Sequence, residues 1–365
     1  QGLQNTVNHL KGDLLIKLTK PLIDYSSHNY LGRDWVKTRN GWFPAQKHLE
    51  KVMNIFRYGA DGKPLPAAVV TPGVERVYTE HDEELLNATQ TAQYRSAVGS
   101  LLYLSQDIEE IAFSVKECSR KLSSPCQGDW HNLARIVKWL IPRRTWGVQL
   151  NMDFHEEIEL VVEVDAGHGG NHGDCRSTTG IRILLNNFLL DHTSATQPGL
   201  PSMSSGESEL RALSRAACDA LWAREVCREM GIKVTRIKLL TDASAAWNNA
   251  TKLGPGRIRH LRLADAFVKE CVKTQQVSLV KIPGLENAAD LHTKYVDRAT
   301  ISRHQKATGY REITCSFTRM ELHKCNEIAD LVSDIDEAYR EWHEQSEKES
   351  VKLALHYKSK SEEYE

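Results

Sequence analysis

The middle of the chain predicts a mixed α/β sheet with helices on its faces, and three features carry that prediction. Between residues 158 and 295, apolar runs of strand length alternate with stretches of helical spacing. Their order is three strands, a long helix, a strand, further helices, a strand and a last helix, which suits one sheet covered by helices. Four acidic residues, Asp165, Glu209, Asp242 and Asp290, stand at the ends or starts of these elements.

Ile158–Val164 is an apolar strand that ends at Asp165. Gly180–Leu185 and Phe188–His192 are two more strands, joined by a hairpin turn at Asn186-Asn187. The stretch SSGESELRAL (204–213) has the chemistry of a helix start. Ser204 and Ser205 can cap free backbone N–H groups, and Glu207 and Glu209 sit in the favourable first turn. Ala212, Leu213, Ala216 and Ala217 follow Glu209 at helical spacing and make a small-residue face that packs closely. The helix runs to Met230 and ends at Gly231. Arg236–Leu240 is a strand leading into Thr241-Asp242, and Ser244–Thr251 and Leu261–Lys273 are helices. Val277–Ile282 is the fifth strand, closed by Pro283-Gly284, and Asn287–Lys294 begins a final helix that carries Asp290.

The flanks differ. Residues 1–92 alternate short apolar runs with turns (LLIKL, NYLGRDW, NGWFPAQ), with a helix at Ala45–Phe56 and a Pro/Gly-rich linker at Gly59–Pro72. Residues 93–157 read as helical: Tyr94–Leu104, Ile108–Leu122 and Gly128–Leu140, with Asp129 as a cap and Trp130, Val137 and Leu140 as core. Beyond the α/β block at 158–298, residues 299–365 form a charged tail. It holds an amphipathic helix over 320–345 (Ile328, Leu331, Ile335, Tyr339, Trp342) and an end predicted to be partly disordered.

The 365 residues suffice for two or three domains with real cores. A hydrophobic fraction of 41% and a charged fraction of 26% describe an ordinary globular protein. Lys+Arg 47 against Asp+Glu 48 leaves net charge silent about partners, so local clusters must identify them. No apolar run reaches transmembrane length and no signal peptide is present, which predicts no membrane partner and no secretion. The chain begins at Gln1, as a fragment or processed product would. Its eight cysteines form no CxxC pair, so they read as free thiols in a reducing compartment.

Each acid taken singly reads as a cap or turn residue. Together they sit where ligands gather in such sheets, outside strand ends and helix starts. Four carboxylates repel one another unless a cation intervenes, and Mg²⁺ binds a few carboxylates while keeping waters and substrate oxygens. Two such ions about 4 Å apart can activate water and stabilise a leaving oxygen in phosphodiester cleavage. Competing signals are weaker. His168, His172 and Cys175 lie in one Gly-rich loop without a fourth zinc ligand. Lys252, Arg257, Arg259, His260, Arg262 and Lys269 form a basic stretch, either a solvated helix face or a phosphate-contacting ridge. Thr178, Ser204 and Ser244 are hydroxyl candidates for sugar or phosphate contacts.

The pieces VDAG…CRSTTGIRI (164–183), HTSATQPGLPSMSSGESELRALSRAACDALW (192–222), LLTDASAA (239–246), RIRHLRLADAFVKE (257–270) and LVKIPGLENAADLHTK (279–294) occur in one order over about 135 residues. In that order they resemble the ribonuclease H domain of Copia-type retrotransposon polyproteins. YRSAVGSLLYLSQDIEEIAFSVKECSRKL (94–122) resembles the connection that precedes that domain, and residues 29–56 weakly resemble the end of the polymerase. The resemblance implies a ribonuclease H-like fold with a five-stranded mixed sheet and helices on both faces. A small helical connection would precede it and a helical tail follow it. It also implies a four-carboxylate site of Asp165, Glu209, Asp242 and Asp290 holding two Mg²⁺ ions, with Mn²⁺ as a substitute, and cleavage of the RNA strand of RNA–DNA hybrids. Glu209 is chosen over Glu207 because the family keeps Ala three residues after its metal-binding Glu, as Ala212 does, and because Glu209 leads the inward stripe. Arg257, Arg259, His260 and Arg262, with Thr178, Ser204 and Ser244, become nucleic-acid contacts in this reading. The partners implied are the hybrid and the remainder of the retroelement polyprotein, in a cytoplasmic particle or the nucleus.

There are departures. Gly167 and His168 replace a second acid and Trp of the family pattern, while Asp165 keeps the family distance to Gly180. The loop before Asp290 lacks the histidine that some ribonucleases H use in product release, and no YxDD polymerase motif occurs, so no copying of nucleic acid is expected. The alternative is a catalytically inactive, retroelement-derived module that binds nucleic acid or a partner. An integrase- or transposase-type nuclease is a third reading, opposed by the glutamate early in the helix and the polymerase-like segment upstream.

Overall fold

The computed structural model describes residues 27–30, 33–38, 41–44, 47–56, 69–143, 146–148, 157–170, 173–251, 263–308 and 310–312. The helix expected over 320–345, the tail end and the ridge at 252–262 lie outside the described residues. The described residues form one compact unit.

The first layer is a small antiparallel sheet. Strands β1 (Ser27–Tyr30), β2 (Arg33–Thr38) and β3 (Gly41–Pro44) form a meander. It continues through β4 (Trp146–Val148) to the late strand β10 (Tyr310–Glu312). Beside it, helices α1 (Lys47–Ile55), α2 (Ala88–Leu104), α3 (Ala112–Ser119) and α4 (Gln127–Leu140) share a core of Phe56, Tyr94, Leu101, Val115, Trp130, Leu133 and Trp139. Trp130, Val137 and Leu140 are buried as core. Asp129 sits one turn inside α4, where its carboxylate accepts the Cys126 N–H, while Cys126 occupies the cap position itself.

The second layer is the predicted mixed sheet. Its strands are β5 (Ile158–Gly167), β6 (Thr178–Leu185), β7 (Phe188–Thr196), β8 (Val234–Thr241) and β9 (Ser278–Lys281), in the order β7-β6-β5-β8-β9. Strand β6 is antiparallel to β5 and β7, while β8 is parallel to β5 and β9. This is the five-stranded mixed sheet that the sequence predicts. The turn at Asn186 takes a φ of 51°, which asparagine tolerates. Helix α5 (Ser205–Glu229) lays Leu210, Leu213, Ala216, Ala217 and Ala220 on Leu160, Val162, Val164, Ile181 and Ile183. Its small residues let helix and sheet approach closely. Helices α6 (Ser244–Thr251) and α7 (Leu263–Lys273) complete that face.

The opposite face of the sheet is polar and is still covered, and β6 is buried along its whole length. Arg182 is the reason. Its guanidinium, 1% exposed, binds Glu109 of the connection through two bonds of 2.6 and 3.1 Å, and it also pairs with Glu163 across the strand. His292 Nε2 lies 3.3 Å from the same Glu109 carboxylate, and its ring stacks on His192 at 5.0 Å. Burial alone would raise the Glu109 carboxyl, but Arg182 and His292 hold it below the usual carboxylate range.

One expected element takes a different form. The final helix starting at Asn287 is a short 3₁₀ turn, Ala288–His292, and helix α8 begins only at Arg298 (Arg298–Thr308). The turn lies flat on the sheet and its polar groups are used there. Asn287 Oδ1 accepts the Ala289 N–H, and Ser194 Oγ donates to the His292 carbonyl at 2.6 Å. Gly180 makes the approach possible, because a Cβ there would fall 2.7 Å from the Ala289 carbonyl.

Two outcomes follow for this face. Arg182→Leu strands two buried carboxylates, so the denaturant midpoint should show a loss of about 3–5 kcal/mol, whereas a conservative exposed change such as Arg215→Lys should cost under ~0.5 kcal/mol. Glu110 is 4% exposed, and burial, then the Glu109 charge, push its carboxyl up to about 7. Its folded pKa exceeds its unfolded one, so its stabilising share is complete below the ordinary carboxylate range and is lost as pH rises toward neutrality. Glu110→Gln should therefore gain on the wild type between pH 5 and pH 8, by roughly 2 kcal/mol in paired urea titrations.

Candidate active site

Parallel pairing of β5 with β8 brings two acids side by side. Val164 stands opposite Thr241, so the next residues, Asp165 and Asp242, emerge at the same carboxyl end of the sheet. Asp165 is 6% exposed, and the Thr293 hydroxyl donates to its Oδ2. Asp242 accepts a 3.0 Å bond from Asn287 Nδ2 through Oδ1, and its Oδ2 faces Gly284, where a Cβ would fall 2.9 Å away. The same Asn287 amide donates to the Val164 carbonyl at 2.9 Å. One fully buried asparagine thus ties Asp242 to the strand end that carries Asp165, and it also caps the turn that carries Asp290.

Helix α5 delivers the third acid and separates the two glutamates near its start. Ser204 caps the helix, accepting the Glu207 N–H. Glu207 is spent locally: its carboxylate accepts the Met203 N–H at 2.8 Å and pairs with Arg211 at 2.6 Å. Glu209 turns to the sheet. Burial, then the charges of Asp165 and Asp242, push its carboxyl up to about 9, and its buried Oε2 has no hydrogen-bond partner.

Asp290 is the fourth. Burial pushes its carboxyl up to about 7, with the Asp165 charge adding to the rise and Lys294 opposing it. Lys294 Nζ lies 2.7 Å from Asp290 Oδ1. That contact is a partly exposed ion pair, with the Lys294 side chain 55% exposed. The 3₁₀ turn aims its residues three ways: Asp290 to the acids, Leu291 into the helical core of the connection, and His292 to Glu109.

The other predicted contacts scatter. Thr178 is buried and accepts a 2.7 Å bond from Lys116, an internal contact in place of the expected surface one. Ser204 is the exposed helix cap, and Ser244 receives the Lys281 ammonium. Arg257, Arg259, His260 and Arg262 lie outside the described residues. Of the competing zinc ligands, His168 Nδ1 lies 3.5 Å from Ser177 Oγ, Cys175 is an exposed free thiol, and His172 is outside the described residues. All six described cysteines are free. Sequence reasoning passed over Asn287, Thr293 and Lys294. Their only signal is their place within ENAADLHTK, around Asp290.

The donor chemistry fits a hard divalent cation. All four groups are carboxylates, Glu209 carries a buried oxygen without a hydrogen-bond partner, and burial together with the charges of Asp165 and Asp242 raises its carboxyl. Among the described residues, no three His, Cys, Asp or Glu side chains are already drawn together as a metal's ligands. Among the described residues, Lys294 is a cation beside the acids.

No family model matches the chain. It is 24% identical over 227 residues to the retrovirus-related Pol polyprotein from transposon RE1 of Arabidopsis thaliana, covering 62% of this chain and 15% of that one. It is 26% identical over 296 residues to the Pol polyprotein from transposon TNT 1-94 of Nicotiana tabacum, covering 79% of this chain and 22% of that one. The Secreted RxLR effector protein 161 of Plasmopara viticola is 32% identical over 130 residues, 35% of this chain and 89% of the effector. Among solved structures, the chain is similar to LC11-RNase H1, isolated from compost (16% identity, 40% of this chain and 97% of that one, TM-score 0.29). The same enzyme is known in complex with an RNA/DNA hybrid (15% identity, 37% and 94%, TM-score 0.29). This chain spans only a small part of the polyproteins it matches, 15% of RE1. The homologues of this chain are thus Pol polyproteins from plant retrotransposons, the family that its motifs resemble.

Proposed function

We propose that the α/β block is a ribonuclease H-type endonuclease that cuts the RNA strand of RNA–DNA hybrids with the help of divalent cations, Mg²⁺ or in its place Mn²⁺. The observation that carries this reading is the emergence of Asp165 and Asp242 side by side at one sheet end, with Glu209 near enough that their charges add to the rise burial gives its carboxyl. The family relationship supports it.

Asp165, Glu209, Asp242 and Asp290 would hold the ions. Bound ions would supply the charge that activates a water and stabilises the leaving oxygen. The chain's own residues supply position. Thr293 fixes Asp165, Asn287 fixes Asp242, and the Ser204 cap starts the helix that aims Glu209. The exposed hydroxyls Ser204 and Ser244 border this end, and the basic run Arg257, Arg259, His260 and Arg262 provides phosphate contacts. The partners in this reading are a hybrid duplex and the rest of a retroelement polyprotein, in a particle or the nucleus.

A second reading, an inactive nucleic-acid-binding module, is favoured by one observation: Lys294 already meets part of the acids' charge. Cleavage of a labelled hybrid separates the two. The chain in Mg²⁺ should cut, and Asp165→Asn should lose at least ~100-fold in rate, in line with the loss of a catalytic electrostatic contact. Equal rates in both would sink the role of Asp165, and hybrid binding without cleavage in either metal would favour the inactive module. Asn287→Ala should lower kcat about tenfold or more with a much smaller change in KM, because it disturbs Asp242 and leaves the duplex surface alone.

A further inference from the structure

We propose that Lys294 is an internal counter-cation, which holds the acidic cluster together without metal and must leave Asp290 before a divalent ion binds there. This rests on the reading of the four acids as a metal site. Four observations carry it.

The first is position. Lys294 Nζ sits 2.7 Å from Asp290 Oδ1, its one ion pair among the described residues. The second is the form of that contact, a single ion pair to one oxygen of one carboxylate. Such an ion pair is held by charge and can be exchanged for a stronger charge. The third is reach. The ammonium feels Asp165 and Asp242 as well as Asp290, and these carboxylates outweigh the effect of burial. The fourth is mobility. The backbone of Thr293 and Lys294 is pinned by N–H bonds to the Asp290 carbonyl at 3.2 and 3.3 Å, while the Lys294 side chain is 55% exposed. A four-carbon stem on a fixed root can swing its charge from the acids to solvent without moving the turn.

The consequence is a competition. One positive charge shared among several carboxylates lowers their repulsion and also the potential that would draw in a divalent ion. Removing it should destabilise the metal-free protein and strengthen metal binding. A merely structural lysine would do the first without the second.

The test uses the full chain and Mg²⁺ alone. Calorimetric titration with MgCl₂ and melting in EDTA are compared for wild type, Lys294→Met and Lys294→Arg. For Lys294→Met, Mg²⁺ affinity should rise about tenfold, the metal-free Tm should fall, and saturating Mg²⁺ should raise its Tm by more than it raises the wild type's. Lys294→Arg keeps the charge and should track wild type. An Mg²⁺ affinity in Lys294→Met that is unchanged or weaker, beside a wild type that binds Mg²⁺, overturns the counter-cation role alone. A wild type that binds no Mg²⁺ at millimolar concentration, with Asp165→Asn indistinguishable from it, overturns the metal-site reading and this inference with it.

Discussion

One guanidinium organises the polar face of the large sheet. Arg182 is fully buried between Glu109, which belongs to the connection, and Glu163, its neighbour on the next strand. Desolvating three charges is costly, and only near-ideal geometry offsets it. The two-pronged bond to Glu109 provides that geometry and draws the connection onto the sheet. His292 joins the same carboxylate, so the turn carrying Asp290 is registered against a residue nearly two hundred positions earlier. The site's fourth acid therefore depends on a segment outside the α/β block.

The acids themselves converge for simpler reasons. Parallel register aligns two strand ends, a capped helix of small residues brings the third acid close, and a turn pressed on Gly180 brings the last. What they share is unfavourable electrostatics, seen in the raised carboxyls of Glu209 and Asp290. Structural ion-pair networks also perturb pKa values. Here the two kinds lie on one sheet and differ: Glu109 is compensated by Arg182, whereas Glu209 is not compensated by any hydrogen bond to Oε2.

Much of this was legible in the residues. The strands of the large sheet announce themselves as apolar runs, α5 by its serine cap, alanine stripe and Gly231, and the hairpin by Asn186-Asn187. Local signals of this kind need no tertiary partner to be read. The turn at Ala288–His292 was not legible as such, because ENAADLHTK has the composition of a helix start. Its actual shape is imposed by contacts with Gly180, Ser194 and Glu109, all distant in sequence. The same holds for Arg182: as one charge in an apolar strand it carries no local sign of its two partners. Glu207 and Glu209 could be told apart by helical phase, but the use of Glu207 as a backbone cap at Met203 needed the fold.

The small sheet has a consequence for how the protein is made. Its strand β4 ends at Val148, and the neighbour that completes it, β10, begins at Tyr310. The entire α/β block lies between the two as an insertion. On a ribosome adding about 5–20 residues per second, the edge of β4 waits roughly 10–30 s for its partner. For that interval the sheet presents an open, unpaired border, a ready template for another nascent chain. Prompt folding of the inserted block brings Tyr310 back toward Trp146 and closes the border from within the same molecule.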